Sequence, residues 1–587
     1  MTFLAKNGPT GIESKYFFSR QDFDNSARGA KAGDRQHFYL SLGENLADWH
    51  NATADLTSQI YPQLLESFRE IFATCGSGVI SYRQAEVLVG SLAKSMSQRI
   101  ARATQQVKLL GDSHYMNGSP IEEFDLLNVA TPESTDASYA LLASEEIGSL
   151  IETLAVRRHF ELPSGVRLTA KSSHAHLESD EKKDRKSVVT QVYLTLQKHL
   201  SARSSNNSVS IVASYLGRGR EIFLSLFLGQ TPSLLEVRPP LELGHYFSAR
   251  RTALLESESI KATALFLMKI LAPSSLAEGY SATLKRAYSL GFAKSPSVIF
   301  TSNSFDTDDE FKVHLAEALP SAAYVVGQHG NNSGISKITE ICPEQNASDL
   351  FLSWGWGGEA DGIHAFGQIK PALKGKYPSN VKGVTLFLRD EYDFFFFADM
   401  YELNNRYFRN IEDLCASLND RQITTHLRLH TSTSSSTRNF LEKAVKKMPS
   451  VKISGDRPSV SKLLASGMGI VFGYDSTGML EMGTAGIPFF LFAPDGLGLV
   501  REEFQTNYDS LRSAGLLSED PAQAAQLIHT WISASREERK AQREAIQDFT
   551  KGIAHSPKKK LRELRRILKD VDRHVAHSNL EGSAENL

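Results

Sequence analysis

The chain has 587 residues, and its 65 Lys and Arg residues nearly balance its 67 Asp and Glu residues, which gives a formal net charge of -2. A chain of this length exceeds what one hydrophobic core usually serves, so we expect two large domains or more. The balanced charge argues against a protein whose whole surface binds nucleic acid, and it confines any charged site to a local cluster.

Cysteine spacing and hydropathy restrict the chemistry and the compartment. Cys75, Cys342 and Cys415 lie far apart and form no CxxC pair, the spacing typical of zinc and redox sites. No motif requires a metal ion, and no stretch approaches the roughly 18 apolar residues of a membrane span. These features predict a cytoplasmic protein whose contact with the inner membrane is at most peripheral.

Residues 1–200 are predicted to be mostly helical. The stretches ADLTSQIYPQLLESFREIFATC and ISYRQAEVLVGSLAKSMSQRIARATQQVKLL repeat apolar residues every three or four positions. From about residue 208 the pattern changes to short apolar runs separated by helical patterns: SVSIVASYL, PSVIFTSN, AAYVVGQHG and SDLFLSWGW. Such runs are typical of strands buried on both faces of a parallel sheet.

A second series of strands follows the segment KPALKGKYPSNVKG (370–383), whose two prolines, two glycines and four lysines indicate an exposed connection. The series consists of GVTLFLRD, ITTHLRLH, VKISG, GMGIVFGYDSTG and IPFFLFAP, with helical patterns between. We therefore predict an α/β fold with two doubly wound parallel sheets of Rossmann type that face a cleft. The expected parts are a helical region 1–200, two sheet domains 201–375 and 376–550, and a basic helix and tail 551–587.

Ligands of open parallel sheets bind beyond the carboxyl ends of the strands, so the turn after AAYVV is a candidate site. It presents four residues there, namely Gln328, His329, Gly330 and Asn331. Gly330 allows a ligand to approach the backbone. His329 can serve as a general base or donate to a phosphate, and the alternative is a histidine that only caps the strand. Glu340 either orients His329 or forms a solvated pair with Glu344.

The strand ITTHLRLH alternates, and its polar residues share one face. That face needs solvent, an acidic neighbour or a ligand as its partner, because interior parallel strands are usually apolar on both faces. His430 ends the strand before TSTSSST. Two interpretations stay open: a phosphate site, or an edge strand followed by a flexible serine loop.

In GMGIVFGYDSTGMLEMGTAG a strand leads through Tyr474, Asp475, Ser476 and Thr477 directly into a helix. Amides at a helix start bind anions, and the two hydroxyls add donors. Asp475 would repel a phosphate, so we favour a helix cap over a ligand for a sugar hydroxyl. Neither GxGxxG nor a Walker motif occurs, and no cofactor is predicted.

The stretch SPKKKLRELRRILKD carries seven Lys or Arg residues between positions 558 and 570 beside an apolar stripe. The stripe consists of Leu561, Leu564, Ile567 and Leu568. It either contacts an anionic membrane surface or packs on the protein with its charges in water.

The residues from FKVHLAEALP through VVGQHGNNSG to ITEICPEQNASDLFLSWGW resemble transferases encoded in bacterial surface-carbohydrate (O-antigen and capsule) loci. Those proteins show a QHG turn, two glutamates, a Ser-Asp pair and a Trp-Gly-Trp ending. SYLGRGREIFLSLFLGQTP resembles another of their segments, and the likeness is strongest over 208–495. It implies a glycosyltransferase that acts on a surface-glycan precursor, free or lipid-linked, with the region 1–375 on the acceptor side.

The C-terminal sheet domain is similar to GT-B transferases that release CMP, such as glycerophosphotransferases of teichoic-acid synthesis and bacterial sialyl- and Kdo-transferases. Their Arg-x-His-Pro strand end corresponds to Arg428 and His430, although Thr431 stands in place of the proline. Likewise, the QHGG turn of these families reads QHGN here. The resemblance implies a CMP-linked donor carrying Kdo or another nonulosonic acid.

Under this hypothesis, His329 and Glu340 are catalytic, and Gln328, Gly330 and Asn331 contact the substrate from the acceptor side. The residues expected at the donor are Arg428, His430, Tyr474, Asp475, Ser476, Thr477, Gly478 and Glu481, the last toward the ribose. Two other classes remain: a nucleotide-sugar epimerase or hydrolase of the same architecture, and a carbohydrate-binding protein without activity.

Overall fold

The structure is a computed structural model of the chain. It describes residues 46–74, 78–111, 132–142, 203–232, 263–330, 333–337, 341–358, 361–389, 401–430, 435–455, 457–494, 496–498 and 500–584, together with positions 147, 151 and 433 and five short strands near the N-terminus. Those strands are β1 Thr2–Ala5, β2 Ser14–Phe17, β3 Met116–Asn117, β4 Glu123–Phe124 and β5 Arg167–Leu168.

Two long helices dominate the described part of the first 200 residues, as their periodicity predicts. Helix α1 (Leu46–Thr74) packs along α2 (Tyr82–Gly111). The apolar stripe of each helix is buried: Leu64 and Phe68 of α1 and Leu92 of α2 have no exposed surface. A short helix, α3 (Thr135–Leu142), follows. Sequence analysis missed the short strands, since runs of two to four residues carry too little periodicity to be recognised.

The first sheet has five strands in the order β10-β9-β8-β7-β6. They are β6 Val209–Val212, β7 Val298–Thr301, β8 Ala323–Gly327, β9 Leu350–Ser353 and β10 Ile363–Ala365. The pairs β6–β7, β7–β8 and β9–β10 are parallel. Helices found along the same part of the chain are α4 Arg218–Phe227, α5 Thr263–Leu271, α6 Tyr280–Ser289, α7 Asp309–Ala318 and α8 Pro343–Asn346. Every residue of β6, β7 and β8 is buried, as expected of parallel strands covered on both faces.

The second sheet has six parallel strands in the order β13-β12-β11-β14-β15-β16. They are β11 Gly383–Phe387, β12 Thr425–Arg428, β13 Val451–Ile453, β14 Met468–Phe472, β15 Phe490–Phe492 and β16 Leu517–Ser518. The helices are α9 Tyr401–Asp420, α10 Ser435–Val445, α11 Val460–Ala465, α12 Thr477–Thr484, α13 Glu502–Ser513, α14 Pro521–Ile532, α15 Arg536–Thr550 and α16 Lys560–Ala584. Counted from β11, the order is 3-2-1-4-5-6, the doubly wound Rossmann arrangement.

Two compact units divide the chain. The first comprises 1–326, 341–349 and 561–587, and the second comprises 327–340 and 350–560. The second sheet lies wholly in the second unit, which also takes β9 and β10. The predicted fold class, α/β with two parallel sheets and a helical N-terminal region, is confirmed.

The C-terminal helix α16 packs on the protein. Leu564 and Leu568 are fully buried and Ile567 nearly so. The Arg565 Nε donates to the Phe227 carbonyl at 2.8 Å. These three residues of the apolar stripe are therefore buried against the protein, which is one of the two interpretations proposed, and Arg562, Arg565 and Arg566 of the same helix are exposed. None of the described helices combines the length and apolarity that crossing a bilayer requires.

A buried histidine in α7 gives the first unit a pH dependence. The His314 ring lies against Tyr288 and Phe292, with centroid distances of 6.2 and 5.0 Å. Neither of its nitrogens has a hydrogen-bond partner among the described residues. Burial lowers the pKa of His314 from 6.5 to about 4.

The free energy of unfolding is therefore expected to fall as the pH drops from 6.5 toward 4. In this range His314 takes up a proton in the unfolded chain but stays neutral in the folded chain. At pH 5 the loss is on the order of 2 kcal/mol. His314→Phe should remove this part of the pH dependence, whereas His577→Gln on the surface of α16 should leave it unchanged. Urea unfolding at several pH values measures both, and identical pH profiles of wild type and His314→Phe would contradict the assignment.

Candidate active site

The carboxyl edge of the second sheet holds the candidate site. Strands β12 and β13 are added on one side of β11 and strands β14 to β16 on the other, so the strand order switches between β11 and β14. Crevices at such switch points are where open α/β sheets bind ligands. The strand ends there continue into Leu388 and Arg389 after β11 and into residues 473–476 after β14. The amide of Gly473 donates to the Phe387 carbonyl at 2.9 Å, which extends the pairing to this edge.

Helix α12 begins at this switch point. Ser476 is its N-cap residue, but its side chain makes no capping hydrogen bond. The hydroxyl is buried, and within the described residues its Oγ has no hydrogen-bond partner. At Gly478 an added Cβ would stand 2.8 Å from the Phe472 ring, so glycine allows the helix to pack closely on β14. The helix start thus brings amides and hydroxyls to the strand end, as the sequence predicts.

Asp475 has a different role from the cap that the sequence favours. The cap position belongs to Ser476, and the Asp475 carboxylate accepts a hydrogen bond of 2.8 Å from the Tyr508 hydroxyl. Burial and this carboxylate raise the pKa of Tyr508 well above its usual value, so the phenol remains a donor. Tyr508, in α13, holds Asp475 beside the start of α12.

The QHG turn contacts the start of α12 directly. An added Cβ at Gly330 would lie 2.7 Å from the Thr477 Oγ1, closer than real Cβ contacts. Gly330 was predicted to admit a ligand to the backbone; in the structure it admits the Thr477 side chain instead. The turn was also predicted to face the donor site from the other domain, yet it belongs to the same compact unit as α12. His329 is exposed in this turn.

Gln328 stabilises the QHG turn through hydrogen bonds of its side chain and backbone. Its side chain is buried, and its Oε1 accepts from the Trp354 amide at 2.7 Å and from the Trp356 Nε1 at 2.9 Å. Its Nε2 donates to the Gly330 carbonyl at 2.7 Å, and its own carbonyl accepts from the Trp354 Nε1. These bonds direct Gln328 toward the protein, away from the predicted substrate contact. They also join the QHG turn to the Trp-Gly-Trp segment.

Loss of one hydrogen bond to Gln328 is expected to reduce stability moderately. Trp356→Phe removes one of the two donors to the Gln328 Oε1 and should lower the free energy of unfolding by about 1–2 kcal/mol. Phe351→Leu, at the neighbouring ring 5.8 Å away, keeps every hydrogen bond of Gln328 and serves as the packing control. Urea unfolding combined with amide hydrogen exchange in residues 327–330 measures the change. Unaltered exchange of the turn in Trp356→Phe would show that the indole does not support it.

The end of β12 supplies positive charge next to β11. The Arg428 guanidinium lies over the Phe387 ring at 4.5 Å and donates to the Pro458 carbonyl at 2.8 Å. Burial and the nearby Arg457 lower the pKa of Arg428, and Tyr474 acts in the opposite direction. An anion bound beside these two guanidinium groups would offset their mutual repulsion.

The polar face of β12 is not that of an edge strand. Burial alternates along Thr425–Arg428, with the two residues of the polar face partly exposed, yet β12 lies between β13 and β11. The edge-strand interpretation is therefore wrong. The carbonyl of His430, just past the strand, accepts from the Arg457 Nη2 at 3.2 Å.

The remaining site predictions have separate outcomes. Glu481 lies in the second turn of α12, and its carboxylate pairs with the Lys370 Nζ at 3.4 Å. Asn331 and Glu340 lie outside the described residues. Within the described residues, no three His, Cys, Asp or Glu side chains converge as a metal site requires.

Sequence analysis missed Arg389. It follows β11 at the switch point, is 4% exposed, and its guanidinium lies 4.1 Å from the Tyr407 ring centroid. The Tyr407 hydroxyl also accepts from the Arg389 amide at 3.1 Å. The search for polar side chains at strand ends, which singled out His430, applies equally to the ending of GVTLFLRD.

The sequence matches one family model, described as LIC12162 family transferase, over residues 141–568. No curated protein matches the chain in a comparison of sequences. Among solved structures, the chain is similar to S. aureus MnaA with UDP, with 11% identity and a TM-score of 0.34 over 59% of this chain and 93% of that chain. For a mutant O-GlcNAc transferase of Thermobaculum terrenum the identity is 12% and the TM-score 0.33, over 89% and 99%. For the calicheamicin glycosyltransferase CalG4 the values are 11% and 0.29, over 50% and 77%. At these TM-scores the structural likenesses support no inference about activity.

Proposed function

The chain belongs to the LIC12162 family of transferases, and from this premise we propose that it is a GT-B type glycosyltransferase that moves a sugar from a nucleotide-activated donor to a glycan acceptor. The resemblance described above suggests the finer assignment. The donor is CMP-linked and carries Kdo or another nonulosonic acid, and the acceptor is a bacterial surface-glycan precursor, such as that of O-antigen or capsule. No cofactor takes part in this proposal, and the nucleotide-activated sugar is a substrate.

The contact between the QHG turn and the start of α12 carries this proposal. It brings an exposed histidine into the neighbourhood of a helix N-terminus at the switch point of a Rossmann-type sheet. A helix start favours the negative charge of phosphate, and a histidine titrates near neutral pH. Glycosyl transfer needs both functions together: a group that holds the departing nucleotide and a group that moves a proton.

In this proposal the donor phosphate lies on the start of α12. The amides of residues 477 and 478 and the hydroxyls of Ser476 and Thr477 are its donors. Arg428 and His430 approach from β12, and Arg389 adds a second guanidinium from β11. A guanidinium binds phosphate oxygens through two parallel hydrogen bonds, so it neutralises the charge that develops on the leaving nucleotide. Tyr474 and Asp475 line the turn, and Glu481 faces the ribose.

His329 transfers the proton. As a base it takes the proton of the acceptor hydroxyl when that oxygen attacks the anomeric carbon and the bond to the nucleotide phosphate breaks. Gln328 and Gly330 position the turn, and Asn331 contacts the acceptor. Glu340 orients His329 in this proposal.

Incubation with a panel of nucleotide sugars tests the proposal. The purified protein is given CMP-, UDP- and GDP-linked sugars with and without acceptor glycans, and both the released nucleotide and the acceptor mass are measured. We expect CMP release that depends on the acceptor, together with an acceptor heavier by one sugar residue. Conversion of the nucleotide sugar without any acceptor would indicate an epimerase or hydrolase, and binding without turnover would indicate a carbohydrate-binding protein.

The proposed location is the cytoplasm, with peripheral contact at the inner membrane through the basic segment 558–570. Support comes from five exposed basic side chains there. They are Lys558, Lys559, Arg562, Arg565 and Arg566. Such a contact would bring the enzyme to a lipid-linked acceptor.

A further inference from the structure

Helix α4 in the first unit presents an unusual apolar face. Leu226 and Phe227 follow Phe223 by one helical turn, and the three side chains are 56%, 53% and 57% exposed, respectively. The two phenylalanine rings lie 6.1 Å apart. Six large apolar side chains are well exposed in the described residues, and these three on α4 are half of them. The other three lie elsewhere in the chain: Val79, Tyr82 and Phe440. A clustered apolar face of this kind indicates an interaction surface.

Positive charge borders this face on one side. The Arg565 Nε of α16 donates to the Phe227 carbonyl, which fixes the basic face of α16 beside the exposed rings. Arg562 and Arg566 are exposed on the same helix, and Glu563 is the one acidic residue in the sequence 558–569. At its other end, α4 begins with the exposed Arg218 and Arg220.

We infer that α4 and the basic face of α16 together form a docking surface for an anionic phospholipid bilayer, with Phe223, Leu226 and Phe227 entering the interface and the arginines contacting headgroups. Charge complementarity selects this occupant. An apolar partner protein would offer no negative charge to the exposed Arg562 and Arg566, whereas an anionic lipid surface matches both the apolar residues and the basic ones. Because the apolar stripe of α16 is buried, that helix supplies charge alone, and α4 supplies the apolar contact. The inference deepens the proposed function, since it places the enzyme where a lipid-linked acceptor resides.

Vesicle sedimentation with the full chain tests this surface. Vesicles of equal parts phosphatidylglycerol and phosphatidylcholine are compared with vesicles of phosphatidylcholine alone. We expect the wild type to bind the anionic vesicles and not the neutral ones. Phe223→Gln/Phe227→Gln should weaken that binding at least tenfold. Arg562→Gln/Arg566→Gln should weaken it about 25-fold at low salt, since each basic residue near the surface contributes about fivefold.

Matched variants elsewhere serve as controls. Phe440→Gln changes an exposed phenylalanine in α10, and Lys540→Gln/Arg543→Gln changes two basic residues on α15. Neither should alter binding to vesicles. Nucleotide affinity and turnover of a soluble acceptor should stay unchanged in all of these variants, so failure of the docking surface is distinguishable from failure of the proposed function.

Three results would overturn the inference. The first is wild-type protein that does not bind anionic vesicles, or binds neutral ones equally well. The second is full binding by Phe223→Gln/Phe227→Gln, which would leave only non-specific charge attraction. The third is a marked drop in melting temperature, or loss of a wild-type dimer in sedimentation equilibrium, in that double variant; either would show that protein covers the face.

Discussion

Replacing His329 with alanine is expected to lower turnover by ~10²–10⁴ while nucleotide affinity stays close to that of the wild type. The expectation rests on position. His329 is exposed in a turn whose neighbours on both sides are fixed, Gln328 by the Trp-Gly-Trp segment and Gly330 by Thr477. A histidine held in this way can transfer a proton without holding the donor. Single-turnover rates and calorimetric titration with CMP measure the two quantities separately.

Other roles of His329 would give other patterns. A histidine that holds phosphate would weaken nucleotide binding and turnover together, and one that caps the strand would lower the melting temperature while the folded fraction kept its activity. His577→Ala, an exposed histidine in α16, is the matched control and should change none of the three quantities. Wild-type turnover in folded His329→Ala would end the proposed catalytic role.

Arg428→Ala is expected to weaken nucleotide binding by about 1.5–3 kcal/mol, the range for a hydrogen bond to a charged group. This is roughly a tenfold to more than hundredfold increase in Kd. Arg428 stays cationic despite its lowered pKa, and its Pro458 contact uses one of five N–H donors. Calorimetry with CMP, UDP and GDP measures the loss. His430→Ala should weaken the same nucleotide in the same direction.

Two further variants separate charge from geometry. Arg428→Lys keeps the charge but loses the planar pair of donors, so it should recover only part of the affinity. Arg457→Ala removes the exposed neighbour that donates to the His430 carbonyl, and we expect a smaller loss. Unchanged affinity in both Arg428→Ala and His430→Ala would remove the end of β12 from the donor site.

Sequence patterns predicted the parts of the site that depend on local order. Strand runs and the residues after them follow from hydrophobic periodicity, which is why the QHG turn, the end of β12 and the start of α12 were all found. Their partners are non-local. The Asp475–Tyr508 bond joins residues 33 positions apart, and the Gln328–Trp356 bond joins residues 28 apart. No spacing rule reaches such pairs.

Strand order is also invisible to local patterns. The alternating face of β12 fits an edge strand as well as an interior one, and the three-residue strand β13 beside it decides the matter. The same limit applies to α16, whose amphipathic pattern fits both a membrane and a protein surface until its packing is known. Arg389 is different: its sequence signal was present in GVTLFLRD, and its place at the switch point becomes visible only with the strand order.

A crystal structure with CMP bound tests the central claim most directly, namely that the donor nucleotide binds at the carboxyl edge of the second sheet. We predict a phosphate within hydrogen-bond distance of the amides of residues 477 and 478 and of the Arg428 guanidinium, on the side of α12 that the QHG turn contacts. A nucleotide bound at any other edge of the sheet, or away from the start of α12, would contradict the account.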